Sequence, residues 1–233
     1  DKEVTEQPQQ ALYSKQEINV EIAELISDGG KSKGEPIKEM KFLFEKMLGV
    51  IRTVTFTQTA SFFLINHYKN ELVLQAIISE RSDALNGVRK IPLGGDLLSQ
   101  IVKEGKPQII RNINPNAELD LFPYYSKPLG TKSFVGVPIY YRDSIIGILC
   151  ADSQKDNAYD EYSMNFFIHF SKVFNFFLEN YTEKCELLVD SKVLQKIDEI
   201  RREFYSPTFK FNESIKNISH SLISLFDFTT AGI

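Results

Sequence analysis

Cysteine is scarce in this sequence of 233 residues, with only Cys150 and Cys185 present. They form no metal-binding spacing and no disulfide framework, so neither a zinc module nor an oxidised secreted scaffold is expected. Long apolar runs are also missing. None reaches the ~18 residues that a membrane span needs, and Asp1 to Gln10 is too polar for a signal peptide. No excess of positive charge exists either. Lysine and arginine number 27 against 31 aspartates and glutamates, the net charge is −4, and the basic residues are scattered, which argues against nucleic acid as a partner. The compartment these absences suggest is the cytosol.

Catalytic signatures are equally thin. Gly94-Gly95 is followed by no Lys-Ser or Lys-Thr, so it is not a phosphate loop, and no Ser-His-Asp order stands out. The three histidines, His67, His169 and His220, share no spacing with one another or with a cysteine, and a structural role is expected of each rather than haem or zinc ligation. The acidic pair Asp160-Glu161 sits at a helix start, where the dipole favours negative charge without catalysis. The chain is thus read as non-enzymatic.

What is present is a core-forming composition, 42% hydrophobic and 25% charged. Its centre is Ser133 to Ser153. Two apolar runs rich in β-branched and aromatic residues flank Arg142-Asp143-Ser144, the pattern of two antiparallel strands and a tight turn. From Ile145 to Leu149 apolar side chains occupy both parities, so layers must cover both faces of the sheet.

Upstream, Ser14 and Glu17 make a capping-box pattern for a short helix striped by Ile18, Ile22, Leu25 and Ile26 and stopped at Gly29-Gly30. From Pro36 onward Met40, Phe44, Met47, Leu48, Ile51 and Val54 recur at helical spacing. Thr59 to His67 and Leu72 to Glu80 read as hairpin strands, and Ile91 to Leu93 as a third extended piece. Asp96 caps a helix that Gly105 closes, with Leu97, Leu98, Ile101 and Val102 inward. Gln108 to Arg111 is a short strand and Asn112 to Thr131 a long loop. Asp156 or Asn157 then caps a helix running from about Tyr159 to Tyr205. This order predicts an α+β domain, a central antiparallel sheet of five or six strands with terminal helices on one face and a short helix plus long loop roofing the other. A loop of that length usually has a function.

Taken together, Ile91-Pro-Leu-Gly-Gly, Ile101 to Gln108, Gly130 to Ile139 (GTKSFVGVPI), Ile146 to Asp152 (IGILCAD) and the helix from Tyr159 resemble a GAF domain, a fold related to PAS, over roughly Pro36 to Tyr181. The resemblance implies a regulatory module of a signalling protein that senses a small molecule or dimerises. It also allows ligand classes to be compared. Cyclic-nucleotide-binding members carry Asn-Lys, then Phe, then a spaced Asp-Glu. The corresponding residues here are Gln154-Lys155, Tyr159 and the immediately adjacent Asp160-Glu161, a degenerate version. Bilin-binding members attach their chromophore to a roof cysteine, and none lies between Gly94 and Thr131. The sulfoxide-reducing branch clusters several cysteines, whereas Cys150 stands alone. The ligand's identity is left open.

If a ligand binds between sheet and roof, the expected contacts are Phe63, Leu93, Asn112, Ile113, Tyr124, Tyr125, Ser133 and Val135, with Asn112 addressing a polar edge and a tyrosine stacking on a ring. The alternative is that these side chains simply fill the space, leaving a ligand-free dimerisation module. Along the last helix Leu178, Tyr181, Cys185, Leu188, Val189, Val193, Ile197, Ile200 and Phe204 step by threes and fours. With the Ser14 helix, that stripe is expected to pair with a second copy in a homodimer, or else to fold back within one chain. Setting Ala231 on Ala60 superposes Phe211 on Met40, Ile215 on Phe44, Ile218 on Met47 and Leu222 on Ile51, which suggests the start of a second, truncated domain of the same kind, although two amphipathic helices can align by chance. The expected division is therefore residues 1–34 as a linker with a short helix, 35–182 as the sensory domain, 183–206 as a helical linker and 207–233 as the truncated repeat.

Overall fold

The computed structural model describes residues 34–141, 143–205 and 216. The expected Ser14 helix and the repeat at 207–233 lie outside the described residues, as do the side chains of Cys185, Leu188, Val189 and Phe204 on the expected helical stripe. The chain divides into two compact units, Asp1–Glu179 and Asn180–Ile233.

In the first unit, helix α1 (Gly34–Thr55) leads into the hairpin β1 (Thr59–Asn66) and β2 (Glu71–Ser79). Next come β3 (Lys90–Pro92), α2 (Leu97–Glu104), β4 (Gln108–Arg111), the single helical turn α3 (Glu118–Leu121), β5 (Ser133–Tyr141) and β6 (Ser144–Ser153). Helix α4 spans Glu161–Phe204, and its residues from Asn180 onward fall in the second unit. The six strands form one antiparallel sheet in the order β3-β2-β1-β6-β5-β4. The β5–β6 hairpin sits near the middle, as its two-sided apolar pattern requires, and β6 is buried along most of its length.

Strand parity sorts the side chains into two layers. On one face Phe62 meets Phe44 of α1 and Phe174 of α4 at ring-centroid distances of 4.7 and 4.8 Å, and Phe44 stacks on Phe174 at 5.2 Å. On the other face Phe63, Ile65, Phe134, Ile148 and Cys150 pack against Leu97, Leu98 and Ile101 of α2 and against Ile113, Phe122, Tyr124 and Tyr125 of the loop. That second face is the roof.

Most element boundaries fall where the sequence patterns place them, with three differences. Val54, on the expected α1 stripe, is 56% exposed, because the helix turns its last apolar residue away from the sheet as it ends. The long loop is not structureless: Pro115–Ala117 forms a 3-10 turn that leads directly into α3. Finally, the cap of α4 is Asp160, which accepts the Ser163 N–H at 2.8 Å. Asp156 instead pairs with Lys132 at 3.0 Å, and Asn157 takes a left-handed turn at φ 51°.

Candidate functional site

The roof rests on a polar group at one end of its apolar core. Thr59 pairs with Asp152 and Ser61 with Cys150 across β1 and β6, and all four side chains point at the roof. Asp152 is fully buried. Tyr124 Oη donates to its Oδ2 at 2.9 Å, and Tyr125 Oη lies 3.0 and 2.9 Å from its two oxygens. The Tyr125 oxygen is also 2.5 Å from Thr59 Oγ1, which in turn meets Ser79 Oγ at 2.8 Å. A phenol has one proton, so with Tyr125 donating to the carboxylate, Thr59 donates to the phenol oxygen. One hydrogen-bonded chain therefore runs from Ser79 through Thr59 and Tyr125 to Asp152 and Tyr124. Beside it Cys150 Sγ contacts Ser61 Oγ at 3.1 Å.

Burial controls the protonation of this group. Desolvation pushes the Asp152 carboxyl up to about 7, against the opposing pull of the two tyrosine hydrogen bonds, with the nearby Glu118 charge adding to the rise. The same desolvation raises both phenols and pushes the Cys150 thiol up to about 12. Cys150 is accordingly a poor nucleophile at neutral pH. Among the described residues, no group of His, Cys, Asp and Glu is arranged to hold a metal ion.

A second buried carboxylate holds the roof loop in shape. Glu118, at the start of α3, accepts the backbone N–H groups of Leu129 at 2.9 Å, Gly130 at 3.0 Å and Thr131 at 3.0 Å. The adjoining β2–β3 connection is laced to the same loop. Asn86 Nδ2 donates to Pro123 O at 2.6 Å, Ser126 N donates to Ala84 O at 2.8 Å, and Leu85 bridges Tyr125. Beside this connection a cavity of about 310 Å³ opens, lined in part by Lys41 and Glu45 of α1, by Gln75 and Ala76 of β2, and by Asn86 and Tyr124. Tyr124 thus donates to Asp152 and is also one of the residues that line this cavity.

Of the eight residues expected to meet a ligand, Phe63, Ile113, Tyr124 and Tyr125 join one buried cluster, and Leu93 packs against it. The Phe63 and Tyr124 ring centroids are 6.0 Å apart. Asn112 is exposed, with φ 56°, and turns the chain out of β4. Ser133 and Val135 alternate with the roof-facing Phe134 and so point to the helical face, where Ser133 Oγ donates to Lys155 O at 2.7 Å. Asp152, Thr59 and Glu118 are not among the residues expected from sequence patterns. Asp152 is recoverable from them, since it shares parity with Ile148 and Cys150; Glu118 lies in a polar stretch that looks solvent-facing.

Residues 41–175, more than half the chain, match the GAF domain family. No curated protein matches the sequence. Among solved structures, the type II free methionine-R-sulfoxide reductase of Thermoplasma acidophilum is similar, with TM-score 0.51 and 17% identity over 63% of this chain and 96% of that one. The GAF domain of an Acinetobacter phosphoenolpyruvate-protein phosphotransferase gives TM-score 0.50 and 15% identity, covering 70% and 92% of the two chains. A GAF domain/HD domain protein of Geobacter sulfurreducens gives TM-score 0.50 at 8% identity, covering 62% and 95%. At these identities the likeness is one of fold.

Proposed function

Since the chain belongs to the GAF domain family, we propose that it is a regulatory, sensory domain that takes up a small molecule under its roof and passes the event to α4. The observation that carries this reading is the Tyr124–Asp152–Tyr125 group. A fully buried carboxylate held by phenols rather than by a cation is costly, and the two roof side chains serve as its donors. A ligand that brings a donor or a positive charge to Asp152 releases the tyrosines and lets the roof change its hold on the sheet. The approach in this reading is the 310 Å³ cavity that Tyr124 helps to line, a volume in the range of small-molecule pockets. Phe63, Leu93 and Ile113 would supply apolar walls, while Asn112, Ser133 and Val135 keep structural duties. A cytosolic location goes with this reading; among the described residues no helix is long and apolar enough to cross a membrane.

Signal output would run through a homodimer. Leu187 and Leu194, seven residues apart, and Ile197 are 69%, 66% and 52% exposed on α4, the spacing of a seam between two helices. A bound ligand would act by shifting the balance between two arrangements of that seam.

A second reading, a ligand-free dimerisation module, is favoured by the tight filling of the roof core, where Phe122, Tyr124 and Phe134 are all at most 1% exposed. Sulfoxide reduction, the activity for which the Thermoplasma structural neighbour is named, draws no support from Cys150, whose thiol stays protonated at neutral pH. Native mass spectrometry of the protein purified from its own source separates the readings. A retained small molecule, lost in Asp152→Ala, supports sensing. A ligand-free dimer that also shows no amide-exchange change at Tyr124 and Tyr125 with any metabolite fraction supports the module.

A further inference from the structure

The hydroxyl chain under the roof reaches from the buried Asp152 toward the protein surface. Its outer end is Ser79, the last residue of β2, which is half-buried and accepts the N–H of the exposed Arg81 at 3.1 Å. Its steps are short: 2.8 Å from Ser79 to Thr59, 2.5 Å from Thr59 to Tyr125, and 3.0 and 2.9 Å from Tyr125 to the two Asp152 oxygens. Thr59, Tyr125 and Asp152 are at most 4% exposed, so bulk water has no direct access to the carboxyl.

Every hydroxyl in this chain is able to donate and to accept, which gives the chain two complete arrangements. With Asp152 ionised, Ser79 donates to Thr59, Thr59 to Tyr125 and Tyr125 to the carboxylate. With Asp152 protonated, its new O–H donates to the Tyr125 oxygen and each hydroxyl reverses. Tyr125 then donates to Thr59, Thr59 to Ser79, and Ser79 to solvent, while Tyr124 donates to Oδ2 in both arrangements. No heavy atom needs to move, because each contact is within hydrogen-bond distance whichever oxygen donates. The protons balance: one enters at Ser79, each oxygen passes on the one it held, and one arrives on Asp152. The titratable groups that act on Asp152 or feel its charge are Tyr124 and Tyr125 of the loop, Glu118 of α3, Cys150 on β6 and Tyr159 just ahead of α4. None is a base, so no cation holds the carboxyl in its ionised form.

We propose that Asp152 is a proton-binding site served by a wire of hydroxyls, Ser79–Thr59–Tyr125, through which the domain responds to pH while its roof stays closed. This deepens the sensory reading and rests on its roof site, with the proton as the ligand. Burial sets the working range, since the carboxyl is raised to about 7. Reversal withdraws the Tyr125 proton from the carboxylate, so protonation turns a charge-assisted bond between roof and sheet into a neutral one.

The test is a pH jump on the whole chain labelled with ¹³C-aspartate. The infrared carbonyl band of the protonated carboxyl is followed in time and assigned by its loss in Asp152→Asn. The band should titrate between about pH 6 and pH 8, and it should relax faster than the roof opens, with the opening rate taken from amide exchange at Tyr124 and Tyr125. Thr59→Val keeps the branched shape of the side chain and cuts the wire. Relaxation in that variant should slow at least about tenfold, to the rate of roof opening. A second measurement needs no variant: low urea should leave the parent's relaxation unchanged, because it speeds only steps that expose surface. The proposal is overturned if the band does not titrate in that window, if Thr59→Val relaxes as fast as the parent, or if urea accelerates the parent. Retention of a metabolite in native mass spectrometry bears on small-molecule sensing alone, so the two readings fail separately.

Discussion

Asp152 shows how one side chain can set the pH response of the domain. Its carboxyl is raised from 3.8 to about 7 by burial, so the folded state holds this proton more tightly than the unfolded chain does. The stability associated with it is fully present below the unfolded value and is lost as pH rises through the folded one, a span that corresponds to roughly 4 kcal/mol. Between about pH 4 and pH 7 the protein should therefore lose stability as pH rises, as far as this group decides it. Asp152→Asn keeps an acceptor for the tyrosines and removes the charge; urea melts across that window should show a flatter pH profile and higher stability at pH 8 than the parent. An unchanged profile would mean that Asp152 does not titrate there. Glu118 is a contrasting case. Its carboxylate closes on three backbone N–H groups, so Glu118→Ala orphans buried donors and should cost on the order of 3 kcal/mol, read as a drop of about 6–12 °C in Tm.

At the scale of elements, the sheet depends on two glycines that let neighbours close in. A Cβ on Gly147 of β6 would collide with the Phe63 carbonyl oxygen of the adjacent strand, which cannot withdraw without breaking the ladder. A Cβ on Gly136 of β5 would have the Ile101 side-chain tip and the Phe134 ring as its nearest neighbours. Gly147→Ala should thus destabilise by about 1–3 kcal/mol and Gly136→Ala by less, because side chains can shift and a paired carbonyl cannot. Chemical denaturation of the two variants side by side measures the order; the reverse order would place the tighter packing at α2. The same elements show what can be read in advance. The strand alternation, the Asp96 cap and the Gly105 stop are local, and the structure has them where the residues indicate: Asp96 accepts Ser99 N–H at 3.0 Å and Gly105 takes φ +64°. The α4 cap falls elsewhere than expected because Asp156, Asn157 and Asp160 are all competent cap residues. In the fold Asp156 pairs with Lys132, 24 residues away in sequence, Asn157 takes a left-handed turn, and Asp160 is the residue that accepts the Ser163 N–H.

For the whole molecule, the decisive quantity is assembly. If α4 pairs with a second copy, light scattering should report a dimer, and Leu187→Glu with Leu194→Glu should shift it to monomer while leaving far-UV circular dichroism nearly unchanged, since both side chains are more than 60% exposed. A monomeric parent would remove the proposed route from roof to output.

The fold class was written in the sequence because hydrophobic periodicity is local: alternation makes strands, three-and-four spacing makes helices, and a strand apolar on both faces demands two covering layers. The roof loop's length and its tyrosines were likewise visible. What only the folded chain decided is where polar groups meet. Asp152 comes against Tyr124 and Tyr125, 28 and 27 residues away in sequence, and Ser133 and Val135 face the helices rather than the roof, because the partner of a buried polar atom is chosen by strand register and loop path, which no local pattern encodes.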